Sequence, residues 1–243
     1  MSKIAAAFFD IDGTLYREGL ITEIFKKLIK SEIIDSERWY NEVRDHYIKW
    51  DKRIGNYDNY LLKMAEIYVE AIKGLHKTQV DFIAKKVIDQ KGDRVYTYTR
   101  DKINWHKSQG HKVITISGSP NELVKEMSIK FGFDDFIGTK YLMDDNKIYT
   151  GNVLPMWDSE SKKNAINFFV QKYNIDLTKS YAYGDTAGDF GMLSMVNNPT
   201  AINPTRELLT KISNHVELAK NIKIVVERKD VIYNLNITSV HLV

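Results

Sequence analysis

Asp10 and Asp12 stand two residues apart where an apolar run, Ile4-Ala5-Ala6-Ala7-Phe8-Phe9, gives way to Gly13 and Thr14. The run reads as a buried strand and Gly13-Thr14 as the turn that ends it. Two carboxylates held together at a strand's end repel each other and lose water, a cost that a shared cation removes. The carboxyl edge of a parallel strand is also where open α/β sheets carry their sites. A plainer reading of the same residues is an Asx-turn in which Asp12 caps the next helix. Three later stretches carry reactive side chains in similar settings. Val113 to Ser119 is an apolar strand ending in Ser117-Gly118-Ser119. Ser161-Lys162-Lys163-Asn164-Ala165-Ile166 sets lysines at a helix start, and Tyr181-Ala182-Tyr183-Gly184 is a strand followed by Asp185 and Asp189. Four aspartates at strand ends call for a cation.

The elements that must position these groups are of two kinds. From about residue 20 to 90 the pattern is that of amphipathic helices. Ile21, Ile24, Phe25, Leu28 and Ile29 recur at helical spacing, as do Leu61, Leu62, Ala65, Tyr68, Val69 and Ile72, with Gly74 as a stop. Residues 79–90 give another helix. After Val95 strands and helices alternate: helix 101–109, strand 112–116, helix 121–131, strand 136–139, a hairpin over 141–150 turning at Asp145-Asn146-Lys147, helix 162–172, strand 180–183 and a helix from 189. Ala201-Ile202 and 222–226 read as edge strands, and 231–243 is apolar enough to pack. Alternation of this kind implies an α/β fold with a doubly wound parallel sheet, a Rossmann-like core. The expected division is a core of residues 1–16 and 93–243 with a helical insert over 17–92.

Composition narrows the function. The 243 residues suffice for one α/β domain carrying a smaller inserted one. There is no cysteine, which excludes disulfides and thiolate zinc sites. The net charge is only +3 with both signs interspersed, and no basic stripe argues for nucleic acid. No apolar run reaches membrane-spanning length, and the amino terminus has no signal-peptide pattern. The expectation is a soluble cytoplasmic protein, monomer or homodimer, with no nucleic-acid or membrane partner.

The stretch Phe8-Phe9-Asp10-Ile11-Asp12-Gly13-Thr14 resembles the first motif of the haloacid dehalogenase-like superfamily, apolar residues followed by Asp-x-Asp-x-Thr. The other three stretches resemble its later motifs and follow in the family's order, so the resemblance covers nearly the whole chain. A helical insert between the first two motifs is what that family calls a type 1 cap. Ile137-Gly138-Thr139, the hairpin ending in Tyr149-Thr150-Gly151, and Ser117-Gly118-Ser119-Pro120 are similar to the subfamily IB branch that includes phosphoserine phosphatases. The resemblance implies a Mg²⁺-dependent phosphatase acting on a small phosphorylated metabolite. In it Asp10 attacks phosphorus, and Asp12 serves as general acid and then base. Magnesium is held by the Asp10 carboxylate, the Asp12 backbone carbonyl and the Asp185 carboxylate, with Asp189 on metal-bound water or steering the other ligands. An aspartate at position 12 argues for phosphoryl transfer over carbon–halogen cleavage, because the family's dehalogenases lack one there.

The phosphoryl group also needs donors on its oxygens. Ser117 offers a hydroxyl and Gly118 a backbone N–H that can approach closely, with Thr14 on the loop or the phosphate. Of the two adjacent lysines, Lys162 shares a helical face with Ala165, Ile166 and Phe169 and is the one expected to point inward; Lys163 aligns with a more mixed face. Ser119 reads as a turn residue before Pro120, and Asn203 as a loop residue near the site or a plain turn. Two departures from the phosphoserine phosphatase pattern stand out. Gly19 occupies the position of that branch's substrate-binding glutamate, with Glu18 one residue away, and Gly188 replaces the asparagine before the last aspartate. Arg17, Arg53 and the insert's aromatics are candidates for a different substrate pocket, although Trp39, Tyr47, Trp50 and Tyr60 read more simply as helix packing. A phosphomutase and a non-catalytic binding protein with a vestigial site are the competing readings.

Overall fold

The computed structural model describes residues 3–52, 54 and 57–240, with the backbone alone at 57–59; Arg53 and the Tyr57 side chain lie outside the described residues. Ala6–Phe9 forms β1, all four residues buried. Continuous burial is what a strand covered on both faces requires, and it explains the unbroken apolar run. Successive side chains alternate: Ala7 and Phe9 enter one core, Ala6 and Phe8 the other.

The remaining strands are β2 (Lys112–Pro120), β3 (Asp135–Met143), β4 (Tyr149–Leu154), β5 (Tyr181–Gly184), β6 (Asn198–Ile202), β7 (Lys223–Arg228) and β8 (Val231–Leu235). They form one sheet in the order β4-β3-β2-β1-β5-β6-β7-β8, parallel throughout except for the antiparallel outer pairs β3–β4 and β7–β8. This is the doubly wound α/β arrangement. Strands β6 and β7, expected at edges, each pair on both sides, because Val231–Leu235 folds back along β7. The last stretch therefore contributes backbone pairing rather than a buried face: Val231, Ile232 and Tyr233 are exposed. Residues 241–243 lie outside the described residues.

Between β1 and β2 run α1 (Leu20–Lys30), α2 (Ser36–Arg38), a π-helical turn (Trp39–Val43), α3 (Arg44–Asp51), α4 (Tyr57–Ile72), α5 (Lys77–Lys91) and α6 (Thr97–Ser108). Helix α1 buries the expected stripe Ile21, Ile24, Phe25 and Leu28. The chain enters and leaves the insert side by side. The Tyr96 N–H donates to Leu15 O at 2.9 Å and the Arg17 N–H to Arg94 O at 3.0 Å. One apolar cluster runs from α1 and α4 through Val80, Ala84 and Val87 of α5 to Phe9, Val113 and Tyr183 on the sheet. Helix α7 (Asn121–Phe131) links β2 to β3, and on the opposite face α8 (Ser159–Tyr173) presses Ala165, Ile166 and Phe169 against Phe8, Ile114 and Ile116. Among the described residues no helix is long and apolar enough to cross a membrane.

Candidate active site

All four sequence stretches converge at the carboxyl end of the central strands. Asp10, just past β1, is 5% exposed, and its N–H donates to Tyr183 O of β5 at 3.0 Å. The turn after it folds back on Ile11, whose carbonyl accepts from the N–H groups of Thr14, Leu15 and Tyr16. Gly13 makes that turn with φ +79°. A Cβ there would lie 2.0 Å from Asp185 Oδ2, so glycine is required by both backbone and space.

Asp185 is buried and held from three sides. Thr14 Oγ1 donates to its Oδ1 at 2.8 Å, its N–H donates to Asp189 Oδ2 at 3.0 Å, and its carbonyl accepts from the Thr205 N–H at 2.8 Å. Asp189 is fully buried and also accepts from the Thr186 N–H at 3.0 Å. Lys162 Nζ bridges the cluster, 2.7 Å from Asp10 Oδ1 and 2.5 Å from Asp189 Oδ1. Its position on the face of Ala165, Ile166 and Phe169 carries it under the sheet's end, whereas Lys163 sits half-buried, its stem beside Gly191.

Asp10, Asp185 and Asp189 each offer an oxygen within 4.8 Å of the others. Three buried carboxylates against one lysine leave an excess of negative charge without water to spread it. Burial pushes Asp10 up to about 8 against the pull of Lys162, with Asp189 and Asp12 adding to the rise. Burial, then Asp189 and Asp10, raises Asp185 well above the carboxylate range. For Lys162 burial acts downward, but Asp10 and Asp189 outweigh it and hold the ammonium above its usual value. Such a set of hard oxygen donors, one charge-compensating lysine and a strong unmet demand for positive charge fits a divalent cation such as Mg²⁺.

Asp12 makes no Asx-turn, Gly19 being the residue that precedes α1, but it touches both the helix start and the cavity. Its Oδ1 accepts from the Leu20 N–H at 2.8 Å, the first helical N–H of α1, while the carboxylate also lines a cavity with Asp10 and Lys162. Its other oxygen accepts from Ser119 Oγ at 2.5 Å. Burial lifts Asp12 to about 6, with the Ser119 and Leu20 hydrogen bonds pulling the other way. Ser119, expected as a turn residue, thus touches the site; the signal was its position one residue past Gly118 on the strand's end. The β2–β3 register shifts between Ile116 and Pro120, which re-aims this segment.

Of the two roles expected for Thr14, on the loop or on the phosphate, its hydroxyl here serves the loop: the Gly13 turn tucks it beneath Asp185, to which it donates. Ser117 is fully buried, accepts from the Ser119 N–H at 3.2 Å and keeps a hydroxyl proton to donate. Gly118 lines the cavity, and Thr139 Oγ1 fixes its carbonyl at 2.7 Å. Asn203 lies in a left-handed turn, its Oδ1 accepting from the Glu227 N–H, and supports the loop behind Asp185 rather than the cavity. Arg17 turns away as well, donating to Val95 O and Glu227. Trp39, Tyr47, Trp50 and Tyr60 stack among themselves with ring centroids 5.5–6.5 Å apart, as helix packing requires.

The cavity measures about 220 Å³. Its roof was only partly legible. Of the apolar residues on α4, Tyr68 and Ile72 join the core with Met64 and Ile67, but Leu61, Leu62 and Ala65 turn toward the cavity. Trp157 and Thr186 also line it and had no sequence signal; Gly188, noted as a departure from the family pattern, lines it too.

A family model described as haloacid dehalogenase-like hydrolase matches residues 7–194. The chain is 27% identical over 205 residues to the "inhibition of morphological differentiation protein" of Streptomyces azureus, covering 84% of this chain and 73% of that one. A probable phosphatase of Mycobacterium tuberculosis is 25% identical over 210 residues, 86% of this chain and 72% of its own. Among solved structures, a phosphoserine phosphatase captured as an analogue of its phospho-aspartyl intermediate shares the fold with a TM-score of 0.58. It is 20% identical and covers 94% of this chain and 96% of that one.

Proposed function

We propose that this chain, which belongs to the haloacid dehalogenase-like hydrolase family, is a magnesium-dependent phosphatase that hydrolyses a small phosphomonoester through an aspartyl-phosphate. The observation that carries the reading is the lysine-bridged carboxylate cluster with Asp12 beside it, all opening on one cavity. In this reading Asp10, Asp185 and the Asp12 backbone carbonyl hold Mg²⁺, with Asp189 steering from behind. The ion, when bound, keeps the buried carboxylates ionised and offsets the phosphate's charge against an anionic nucleophile.

Lys162 engages Asp10 Oδ1, and Oδ2 is the attacking oxygen. A bond forms from Oδ2 to phosphorus as the ester P–O bond breaks, its electron pair leaving with the alkoxide. Asp12 donates a proton to that alkoxide. A titration near 6 suits this role, since the group exists in both forms close to neutrality. Asp12 then takes a proton from water as the water oxygen attacks phosphorus and the Asp10 oxygen leaves. Ser119 and the Leu20 N–H fix the Asp12 carboxylate for both transfers. The Gly118 N–H, the Ser117 hydroxyl and Lys162 are the donors to the phosphoryl oxygens. Thr14 acts through Asp185, which it orients. Residues 17–92 act as the cap over the site.

The test is phosphate release from p-nitrophenyl phosphate with Mg²⁺. The wild type turns over, EDTA stops it and added Mg²⁺ restores it, and Asp10→Asn is inactive because an amide neither attacks phosphorus nor ligates magnesium as a carboxylate does. Near-normal turnover in Asp10→Asn sinks the mechanism.

A further inference from the structure

We infer that the alcohol part of the substrate is small and uncharged, alkyl or aryl, and that zwitterionic or cationic phosphoesters such as O-phosphoserine are excluded; this rests on the phosphatase reading above. Beyond the reacting floor, the cavity walls are Ile21, Leu61, Leu62 and Ala65 from the insert, and Tyr141 and Trp157 from the sheet side. Among the described residues lining the cavity, the charged side chains are Asp10, Asp12 and Lys162, and Lys162 is already committed to two carboxylates.

Among the described residues, the nearby charged ones able to meet an ammonium or a second carboxylate are engaged elsewhere. Glu18 pairs with Arg94 at 2.6 Å, and Arg17 pairs with Glu227 at 3.3 Å. Glu122 accepts from Tyr149 Oη at 2.8 Å and lines a different cavity. A second anionic group would therefore lose its water against aliphatic and aromatic carbon with no cation in return, and among the described residues an ammonium would meet carboxylates already held: Asp12 by Ser119 and the Leu20 N–H, Asp10 by Lys162.

The aromatic wall is built, not incidental. Gly118 and Gly188 flank the backbone at Trp157: a Cβ on Gly188 would lie 2.2 Å from Trp157 O, and one on Gly118 would lie 2.9 Å from Trp157 Cβ. Gly188 is the position at which this chain lacks the asparagine of the phosphoserine phosphatase pattern. Here its bareness lets the Trp157 segment close over the site. With a volume of about 220 Å³, below the roughly 300–1,000 Å³ of sites for drug-sized ligands, the cavity suits a short alkyl chain or one ring beside the phosphate.

The experiment compares isosteres. Propyl phosphate and phosphoethanolamine match in shape and leaving-group type and differ in one charge. Their kcat/KM values are measured with Mg²⁺ beside O-phosphoserine, methyl and ethyl phosphate, and acetyl phosphate as a reporter of the chemistry alone. Propyl phosphate should exceed phosphoethanolamine by about 100-fold, since the ammonium gives up water against the apolar wall without a free partner among the described residues. From methyl to propyl each methylene should raise kcat/KM about fourfold. Leu62→Glu, at a position exposed enough to tolerate a charge, should shrink the propyl-to-ethanolamine ratio at least tenfold. Acetyl phosphate turnover with phosphoethanolamine or O-phosphoserine within tenfold of propyl phosphate overturns the inference and leaves the phosphatase reading standing. Failure to hydrolyse any of them, acetyl phosphate included, overturns the phosphatase reading itself.

Discussion

Replacing Gly13 by alanine tests whether Asp185, the carboxylate proposed to hold the metal, is set by backbone geometry. Two costs are separable. The φ of +79° places an L-residue in the left-handed region, a strain of about 1–2 kcal/mol. The added Cβ would lie 2.0 Å from Asp185 Oδ2, and since contacts under 3.0 Å are essentially never met, Asp185 must retreat by roughly 1 Å. Its restraints from Thr14, Asp189 and Thr205 make that retreat disruptive to the whole cluster. A misplacement of about 1 Å in reacting groups costs on the order of 100-fold in rate. A natural control separates the two costs. Gly110 has φ +71° but nothing within 4 Å of a built Cβ, so Gly110→Ala carries strain without the clash. Urea unfolding and kcat against Mg²⁺ concentration should be measured for both. We expect Gly110→Ala to lose about 1–2 kcal/mol of stability and Gly13→Ala to lose more because of the added clash, within what a typical domain survives. Only Gly13→Ala should lose about 100-fold in kcat and need more Mg²⁺ for half-saturation. A Gly13→Ala enzyme within twofold of wild type in both kinetic quantities refutes the reasoning.

Two further perturbations probe buried charge. Lys162→Met strands Asp10 and Asp189 without their cation, and removing one partner of a buried pair costs roughly 3–5 kcal/mol. Melting with EDTA should show most of that loss and melting with Mg²⁺ much less; equal stability to wild type in EDTA contradicts the assignment. His106 is fully buried, its ring nitrogens 2.8 Å from His111 Nδ1 and 2.9 Å from Tyr183 Oη. Burial, helped by His111 and Lys102, pushes it down to about 3. An unfolded histidine titrates near 6.5, so between pH 6.5 and 3 the unfolded chain binds a proton that the folded chain refuses, and stability falls as pH falls. From pH 7 to pH 5 the loss from this group is about 2 kcal/mol. Urea midpoints at both pH values should show His106→Gln losing less by about that amount, and identical pH dependence in the two proteins disproves it.

Much of the fold was legible because burial leaves a local trace. Strands β1, β2 and β5 lie inside a parallel sheet, so their residues read as apolar runs, and α1 and α8 show stripes because one face is covered. Strand order leaves no such trace. Nothing within Asn198–Ile202 says that it has neighbours on both sides, since that depends on where Val231–Leu235 returns. The aspartates and Lys162 were legible for a related reason: carboxylates at strand ends and a lysine on an apolar face conflict with their surroundings unless they serve a site.

Hydroxyl groups behave differently, because a serine or threonine suits turns, caps and sites alike. Thr14 and Ser119 therefore gave no sign of which oxygen each would meet, and the Ser119–Asp12 contact joins residues 107 positions apart. Aromatic residues mislead in the opposite sense. Trp39, Tyr47, Trp50 and Tyr60 crowd one region of sequence because they fill one another's gaps, whereas Trp157, alone in a loop, faces the cavity. What distinguishes Trp157 lies at other positions: Gly118 and Gly188, each lacking the Cβ that would collide with its segment. A glycine constrains whatever passes over it, so in this chain the shape of the pocket is written in the residues that stay out of it.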